Sequence, residues 1–342
     1  MAADLSELPN AREFTWHDGE RIVVFRSGTL AGALEALDEH GWDRFELLTT
    51  QRALAGAPLS LAEAAAAVHE VPSGRVTDVS AEIIDGVTTP TLVALGGGRV
   101  IDAAKAIAAV RGGRVAAIPT TLSGAPMTRI HRLPVGHEAP HLVRPALVLA
   151  DPEPMTALAE AQLRATAMNA LAHGSEALYG PAGNPVATLA ALRGAGLVAR
   201  ALDQAEDGRD RPMLALGALL CAYGIDNAGL GLHLAVCQEL VRVMGTPHAE
   251  TNATMLPRTM TAMHSRFPAA LSALAEALGV DAEGLASRLE ELGGGPRRLS
   301  ELGAESARVE AVVDAIRARV ANGPMPDPPD RDELRGLIEA AW

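Results

Sequence analysis

The sequence predicts an N-terminal α/β domain with a Rossmann-like parallel sheet over residues 1–152 and an all-helical domain over residues 153–342. In the first half, short apolar runs typical of buried strands alternate with segments of helical spacing. Repeated βα units of this kind build a parallel sheet with helices on both faces. After DPEPMT (151–156) the alternation stops, and long segments rich in Ala and Leu indicate helices.

The predicted strands are short apolar or β-branched runs bounded by turn residues. They are RIVVF (21–25), FELLTT (45–50), VHEV (68–71), TLVAL (91–95), RVAAIP (114–119) and ALVLAD (146–151). The helices predicted between them are TLAGALEALDEHG (29–41), LSLAEAAAAV (59–68), RVTDVSAEIIDGV (75–87) and RVIDAAKAIAAV (99–110).

The second half is predicted to be helical because its apolar residues recur at helical spacing. The predicted helices lie near 159–178, 185–206, 212–243, 252–263, 268–278 and 282–292. The tail NGPMPDPPDRDELRGLIEAAW (322–342) is predicted to be a proline-rich connector followed by one capped helix. Cys221 and Cys237 lie in apolar helical stretches, so we expect buried free thiols.

Composition and charge favour a globular protein and argue against two kinds of partner. With 48% hydrophobic and 21% charged residues the chain is expected to be globular. A formal net charge of −13 without a basic stretch argues against a nucleic-acid partner. We find no run of about 18 uninterrupted apolar residues and no N-terminal signal pattern, so we expect a cytoplasmic protein without a membrane partner.

Three glycines, Gly96, Gly97 and Gly98, join a predicted strand to a predicted helix. Glycine lets the backbone approach a ligand, and a helix start offers free N–H groups and a partial positive charge. Asp102 and Lys105, the only lysine in the chain, follow on the first turns of that helix. The pattern favours a site for a small anionic group, and a plain tight turn is the alternative.

Hydroxyl side chains follow the next strand, in AIPTTLSGAPMT (117–128). Thr120, Thr121, Ser123 and Thr128 are expected at the carboxyl end of the sheet, where ligands bind in open α/β folds. A helix or turn cap is the alternative interpretation of these residues. Two polar, glycine-bearing turns on adjacent strand ends favour a ligand site.

The helical half contains a candidate polar cluster. Asn169 and His173 are four residues apart and share a helix face, with Glu176 one turn further along. His233 and His248 lie in two later helical segments. A lone histidine on an apolar helix is more often a core residue, but three histidines and an asparagine on helices that could converge indicate a cleft.

These stretches carry a resemblance to a known family. GGGRVIDAAKAIA, IPTTLSGAPMT, MNALAHGSEALY, GLGLHLAVCQELVRVMGTPHAETNATMLP and PDPPDRDELRGLIEAAW occur in the order found in the iron-containing (group III) alcohol dehydrogenase superfamily. The chain most resembles its maleylacetate reductase branch, from about residue 20 to the C-terminus. The resemblance implies the dehydroquinate synthase-like architecture, a dinucleotide-binding first domain, NAD or NADP between the two domains, and a homodimer.

The resemblance also assigns roles to residues. Gly96, Gly97, Gly98 and Asp102 would line the pyrophosphate, and Lys105 matches the motif lysine. Thr120 and Thr121 match cofactor-contacting threonines, and Ser123 and Thr128 belong to the same turn.

Metal-dependent members of the family ligate iron or zinc with one Asp and three His. The corresponding residues here are Asn169, His173, Leu234 and His248, with His233 adjacent to Leu234. Divalent iron or zinc prefers anionic or imidazole donors, so a tightly held metal is not expected. If any metal binds, His173 and His248 would hold it.

The resulting hypothesis is an NAD(P)H-dependent oxidoreductase that transfers hydride to a carbonyl or activated alkene of a small polar substrate. His173, His233 or His248, with Asn169, would stabilise charge or return a proton, and an imidazole tuned near neutrality suits the second task. The choice between NADH and NADPH stays open, although FELLTTQ (45–51) lacks the acidic residue that favours a free ribose hydroxyl.

A carboxylate on the substrate would need a cationic partner. Arg144, Arg258 or Arg99 could hold it by a two-pronged contact. Three alternatives remain at this point: a metal-dependent alcohol dehydrogenase with a non-standard zinc or iron site, a diverged member with a lyase, isomerase or non-catalytic role, and histidines that serve only the core.

Overall fold

The computed structural model describes residues 19–321 and 327–342, which fall into two compact units. The sheet unit comprises residues 19–158 and 214–219, and the helical unit comprises the remaining described residues from 159 onward. The predicted domain limits, 1–152 and 153–342, also include residues 1–18 and 322–326, which lie outside the described part of the chain. Those limits remain a prediction.

The sheet unit contains one six-stranded parallel sheet, as predicted. Its strands are β1 (Ile22–Phe25), β2 (Glu46–Thr49), β3 (Val68–Glu70), β4 (Thr91–Gly96), β5 (Arg114–Pro119) and β6 (Leu147–Ala150). The strand order is β1-β6-β5-β4-β2-β3. The carboxyl end of β4 therefore has β5 on one side and β2 on the other.

Six helices accompany the sheet. They are α1 (Ala33–Glu39), α2 (Gln51–Ala55), α3 (Leu59–Ala64), α4 (Val76–Ile83), α5 (Gly98–Arg111) and α6 (Pro152–Thr156). Helices α2 and α6 were not predicted from the sequence, because they are one to two turns long and have too few residues for a periodic pattern. Side-chain caps stabilise both, because Thr50 Oγ1 accepts from the Ala53 amide and Asp151 Oδ1 accepts from the Glu153 amide, each at 3.2 Å.

The sheet is buried on both faces, as a parallel sheet with helical crossovers requires. Successive side chains of β4 alternate between two apolar clusters. Leu92 and Ala94 pack with residues of α4 and α5, whereas Val93 and Leu95 pack with residues of α1 and with Trp42. Because successive side chains point to opposite faces, β4 contributes to the apolar clusters on both sides of the sheet.

The remaining helices belong to the helical unit, except that residues 214–219 of α9 are part of the sheet unit. They are α7 (Glu160–Ala177), α8 (Pro185–Leu202), α9 (Arg211–Ala228), α10 (Leu232–Met244), α11 (His248–His264), α12 (Pro268–Ala277), α13 (Leu285–Leu292), α14 (Val309–Ala321) and α15 (Arg331–Glu339). Short 3₁₀ segments in the chain are Ile84–Gly86, Glu206–Gly208, Leu299–Leu302 and Ser306–Arg308. The capped C-terminal helix is confirmed, since Asp330 and Glu333 form a capping box at α15. The sequence analysis did not predict α14.

The single helix predicted over 212–243 is wrong. The chain breaks between α9 and α10, and the two helices meet at 99°. Gly229 adopts φ 86, and a Cβ on Gly231 would lie 2.8 Å from the Tyr179 ring. The two glycines permit a sharp turn against α7 that other residues could not make.

Close packing of α7, α8 and α9 depends on small residues. A Cβ on Gly174 would lie 2.8 Å from Cys221 Sγ, and a Cβ on Gly224 would lie 3.1 Å from the Ala191 side chain. The prediction for the cysteines is confirmed, because Cys221 and Cys237 are both buried and free.

Helix α8 is long and apolar enough by composition to cross a bilayer, with a mean hydropathy of 1.2 over 18 residues. Within the protein, 61% of that segment is buried, as in a core helix. Helices α9 and α10 are long and apolar enough only when taken together, and the pair is sharply bent. Packing within the protein thus accounts for the apolar character of α8.

Candidate functional site

The glycine turn between β4 and α5 lies so close to its neighbours that a side chain at any of its three glycines would crowd them. A Cβ on Gly96 would lie 2.7 Å from Val100 Cγ2. A Cβ on Gly97 would lie 3.1 Å from Thr121 Cγ2, and one on Gly98 would lie 3.1 Å from Ser123 Oγ. The segment that follows β5 therefore packs directly against the turn, and helix α5 begins there with its amides free of any side-chain cap.

A cavity of about 430 Å³ opens at this turn, entirely within the sheet unit. We call it the glycine-turn cavity. Its lining combines the glycine turn with residues from the ends of β2 and β5 and from the segment after β6. The lining residues are Leu30, Thr50, Arg52, Ala53, Gly56, Gly97, Gly98, Arg99, Val100, Thr120, Thr121, Pro154, Ala157 and Leu158.

The charge of this cavity is positive although the chain as a whole is acidic. Arg52 and Arg99 line it, and none of the described residues around it is an aspartate or glutamate. Neither guanidinium has a hydrogen bond or ion pair with another described residue. Together with the amides at the start of α5, the cavity presents an anion-binding surface.

Lys105 has a different task from the one expected. Its side chain is fully buried, and the ammonium donates to the carbonyls of Ala125, Thr128 and Ile130 at 3.1, 2.9 and 3.0 Å. It also pairs with Asp102 Oδ1 at 2.6 Å. Because these four acceptors surround the ammonium, its predicted direct contact with a bound anion is corrected. Lys105 instead holds the segment after β5 against the glycine turn.

The other predicted cofactor residues divide into three groups. Thr120 and Thr121 line the cavity. Ser123 lies against Gly98, and its buried hydroxyl has no hydrogen-bond partner among the described residues. Asp102 and Thr128 contact Lys105, Thr128 through its backbone carbonyl, so both act on the shape of the site.

The helical unit brings together the predicted polar residues. Asn169 and His173 lie one turn apart on α7, His233 lies on α10, and His248 begins α11. Burial and the neighbouring His248 lower the pKa of His173 to about 4. Asn169 Oδ1 and His173 Nδ1 are buried and have no hydrogen-bond partner in the described chain. His248 is exposed.

His233 is a core residue, which corrects its predicted catalytic role. The side chain is fully buried, and both ring nitrogens are engaged. Asn252 donates its amide hydrogen to the His248 carbonyl at 2.7 Å and so presents Oδ1 to His233 Nε2 at 3.0 Å. Nδ1 lies 2.8 Å from Thr259 Oγ1. Burial lowers the pKa of His233 to about 3, so the imidazole is neutral and not tuned near neutrality.

Glu176 is a buried acid that the sequence analysis placed on the Asn169 face without giving it a role. Its Oε1 accepts from the Leu234 amide at 3.1 Å, and the amides of Gly231 and His233 also donate to the carboxyl. Gly231 is the N-cap of α10 and has no side chain, so Glu176 caps that helix from α7. Burial outweighs these bonds and raises the pKa of Glu176 to about 7.

Arg258 is structural, which corrects its assignment to the substrate. Its guanidinium donates to the carbonyls of Thr254, Arg297 and Ala340 at 2.6, 3.0 and 3.2 Å, tying α11 to the end of α15. Arg144 lies between β5 and β6 and is not among the residues that line the glycine-turn cavity. Its predicted contact with a substrate remains a prediction.

The donor set does not fit a tightly held divalent metal. Asn169 offers a neutral amide, and the buried Leu234 offers an alkyl chain. In the described ranges, 19–321 and 327–342, no group of three or more His, Cys, Asp or Glu side chains is placed to hold a metal ion. Two imidazoles and an amide oxygen without a carboxylate or thiolate suit hydrogen bonding to a small molecule better than zinc or iron ligation.

Comparison with known proteins supports the same family over most of the chain. A family model described as "Fe-containing alcohol dehydrogenase family, C-terminal" matches residues 164–342. A second, described as "Iron-containing alcohol dehydrogenase", matches residues 25–129.

Individual proteins of similar sequence or structure support the same family. A maleylacetate reductase from Pseudomonas aeruginosa is 30% identical over 342 residues, covering 94% of this chain and 95% of that protein. One from Burkholderia cepacia is 34% identical over 263 residues, covering 73% of each. The crystal structure of maleylacetate reductase from Rhizobium sp. strain MTP-10005 has a TM-score of 0.85 at 26% identity, covering 97% of this chain and 98% of that one. The resemblance is confirmed: the chain belongs to the iron-containing alcohol dehydrogenase family, and it is similar to the maleylacetate reductases within it.

Proposed function

We propose that this protein is an NAD(P)H-dependent reductase, similar to maleylacetate reductase, that acts on a small polar substrate bearing a carboxylate. The observation that carries the proposal is the glycine-turn cavity, whose lining has two guanidiniums without a partner among the described residues and no described acidic residue. Family membership supports oxidoreductase chemistry. The names of the relatives supply maleylacetate as the first substrate to test.

The residues of the cavity fit a nucleotide diphosphate. Gly97 and Gly98 lack Cβ atoms and so let the segment after β5 lie against the turn, while the first amides of α5 have no side-chain cap. Thr120 and Thr121 line the cavity and carry hydroxyls that can donate to a phosphate oxygen. Arg99, the second residue of α5, adds a positive charge at the same turn. When bound, the nicotinamide would supply the hydride.

The helical unit supplies polar groups for a substrate. Asn169 Oδ1 and His173 Nδ1 lack partners among the described residues and can hydrogen-bond a ligand. With a pKa of about 4, His173 is neutral at neutral pH and acts as a hydrogen-bonding group more than as an acid. Hydride addition to a carbonyl carbon leaves negative charge on the oxygen, which a hydrogen bond donated by the neutral His173 imidazole would stabilise until a proton from water is taken up.

The proposed reaction proceeds without a tightly bound metal, because the Asn169, His173, Leu234 and His248 positions provide only two imidazoles. Metal analysis of the purified protein, followed by assays with and without a chelator, tests this point. Activity that falls on chelation and returns with zinc or iron would support the metal-dependent alternative.

The deciding experiment measures oxidation of NADPH and NADH with maleylacetate and with a panel of 2-oxo acids, unsaturated keto acids and simple aldehydes. We expect turnover with the carboxylate-bearing substrates and little with the uncharged aldehydes. Dinucleotide binding without reduction of any panel member would refute the substrate class. No binding at millimolar dinucleotide would refute the reductase itself and favour a lyase, isomerase or non-catalytic role.

The proposal includes a cytoplasmic homodimer that acts on a small molecule, with no nucleic-acid or membrane partner. Light scattering after size exclusion tests the oligomer, with a mass near twice that of the 35.4 kDa chain expected. A mass equal to that of one chain would contradict the dimer.

A further inference from the structure

The position directly after β2 lies beside the glycine turn. Strand β2 pairs with β4 in parallel, and the register places Thr49 opposite Leu95, one residue before Gly96. In dinucleotide-binding sheets the residue at this position reads the adenosine ribose. An acidic side chain accepts a hydrogen bond from a free 2′-hydroxyl, whereas an arginine accommodates a 2′-phosphate.

The side chains of the three residues after Thr49 differ in what they contact. Thr50 Oγ1 caps α2 through the Ala53 amide. Gln51 Nε2 donates to Glu70 Oε2 at 3.1 Å. Arg52 lines the glycine-turn cavity and has no partner among the described residues. Arg52 is therefore the side chain that this segment leaves available to a ligand.

None of the described residues that line the cavity is an acid that could bind the ribose hydroxyls. Glu70 lies opposite Thr49 on β3, where Gln51 engages it, and it is not among the lining residues. The lining has two positive side chains although the chain has a formal net charge of −13. Arg99 stands on the glycine turn, where the diphosphate would bind, whereas Arg52 lies on α2, just after the end of β2.

We infer that the glycine-turn cavity selects NADP(H) over NAD(H), and that Arg52 is the specificity-determining residue that binds the 2′-phosphate. This inference rests on the proposed function, because it presumes a dinucleotide in the cavity. The guanidinium offers two parallel N–H donors to a phosphate that carries up to two negative charges. Such charge-assisted contacts correspond to a preference for NADPH of roughly 10- to 100-fold.

The experiment compares dissociation constants of NADPH and NADH for the full-length wild type and three variants. R52A removes the charge, and R52D replaces it with an acceptor for the ribose hydroxyls. R44A is the matched control, since Arg44 is exposed in the same unit just before β2, at the opposite end of that strand, and does not line the cavity. Adenosine 2′,5′-bisphosphate and 5′-AMP serve as probes without the nicotinamide half.

We expect the wild type and R44A to bind NADPH and the bisphosphate roughly 10- to 100-fold more tightly than NADH and 5′-AMP. R52A should lose this preference with its NADH affinity unchanged, and R52D should prefer NADH. Equal binding of both dinucleotides by the wild type, or an equal loss of both in R52A, would overturn the inference while leaving the proposed reductase intact. Failure of the wild type to bind either dinucleotide would overturn both.

Discussion

Replacing Lys105 by methionine tests the structural role that the ammonium has in this fold. The side chain is fully buried, so K105M keeps most of its volume and removes the charge and all three N–H donors. Three carbonyls, of Ala125, Thr128 and Ile130, and the Asp102 carboxylate then lose their shared donor. Removing one member of a buried charged group costs about 3–5 kcal/mol, because the remaining groups stay desolvated.

The assay is chemical and thermal unfolding followed by circular dichroism, with hydrogen exchange of residues 120–130 as the local readout. A loss of about 3–5 kcal/mol corresponds to a fall in Tm of roughly 6–20 °C in a domain of this size. K105R should not rescue stability, since a planar guanidinium cannot direct three donors at these carbonyls from a fully packed position.

Two results would contradict this structural role of Lys105. If K105M unfolds like the wild type and exchange in residues 120–130 is unchanged, the ammonium does not hold this segment. A variant of normal stability that loses dinucleotide binding would instead show that Lys105 contacts the ligand directly, as the sequence alone suggested.

Three further predictions follow from the described contacts. E176Q should remove a pH dependence: the pKa of Glu176 is raised from 4.5 to about 7, so the folded protein holds a proton that the unfolded chain has released. Wild-type stability therefore falls relative to E176Q by roughly 3 kcal/mol as pH rises through that window, and a constant difference in unfolding free energy from acid to neutral pH would refute this. G97V should abolish dinucleotide binding in titrations because the side chain would fill the glycine turn, whereas G32V, at a position with nothing within 4 Å of the added Cβ, should bind normally. H173A should lower turnover with little change in stability. H233A should lower the free energy of unfolding by at least roughly 2 kcal/mol, because it opens a cavity and leaves two buried polar groups without a partner. Equal effects of the two changes on the free energy of unfolding would contradict the distinction between a ligand-facing His173 and a core His233.

The parallel sheet could be predicted from the sequence because its signals are local. Each strand is a short apolar run, and TLVAL (91–95) is followed at once by three glycines and a helix. The same local pattern predicted Thr120 and Thr121 at the carboxyl end of the sheet, where both line the glycine-turn cavity, and their contact with a cofactor remains a prediction.

The break between α9 and α10 shows where local reasoning fails. The apolar periodicity continues across Gly229 and Gly231, so the sequence indicates one helix. The bend depends on contacts of Gly231 with Tyr179 and Glu176, more than 50 residues away in the sequence. The role of Glu176 as the cap of α10 was invisible for the same reason.

Lys105 and His233 were misassigned because burial cannot be read from residue type. Both residues carry chemistry that suits a ligand, and both are fully buried with their polar atoms engaged by the chain. The predicted substrate contact of Arg258 was wrong for the same reason. Its guanidinium donates to backbone carbonyls of α11, of the segment after α13 and of the C-terminal end of α15.

The most direct test of the central claim is hydrogen–deuterium exchange of the full-length protein with and without saturating NADPH. The account predicts slower exchange in peptides that cover the glycine turn and the ends of β2 and β5. Measurable NADPH binding with unchanged exchange in those peptides would place the nucleotide elsewhere and contradict the claim.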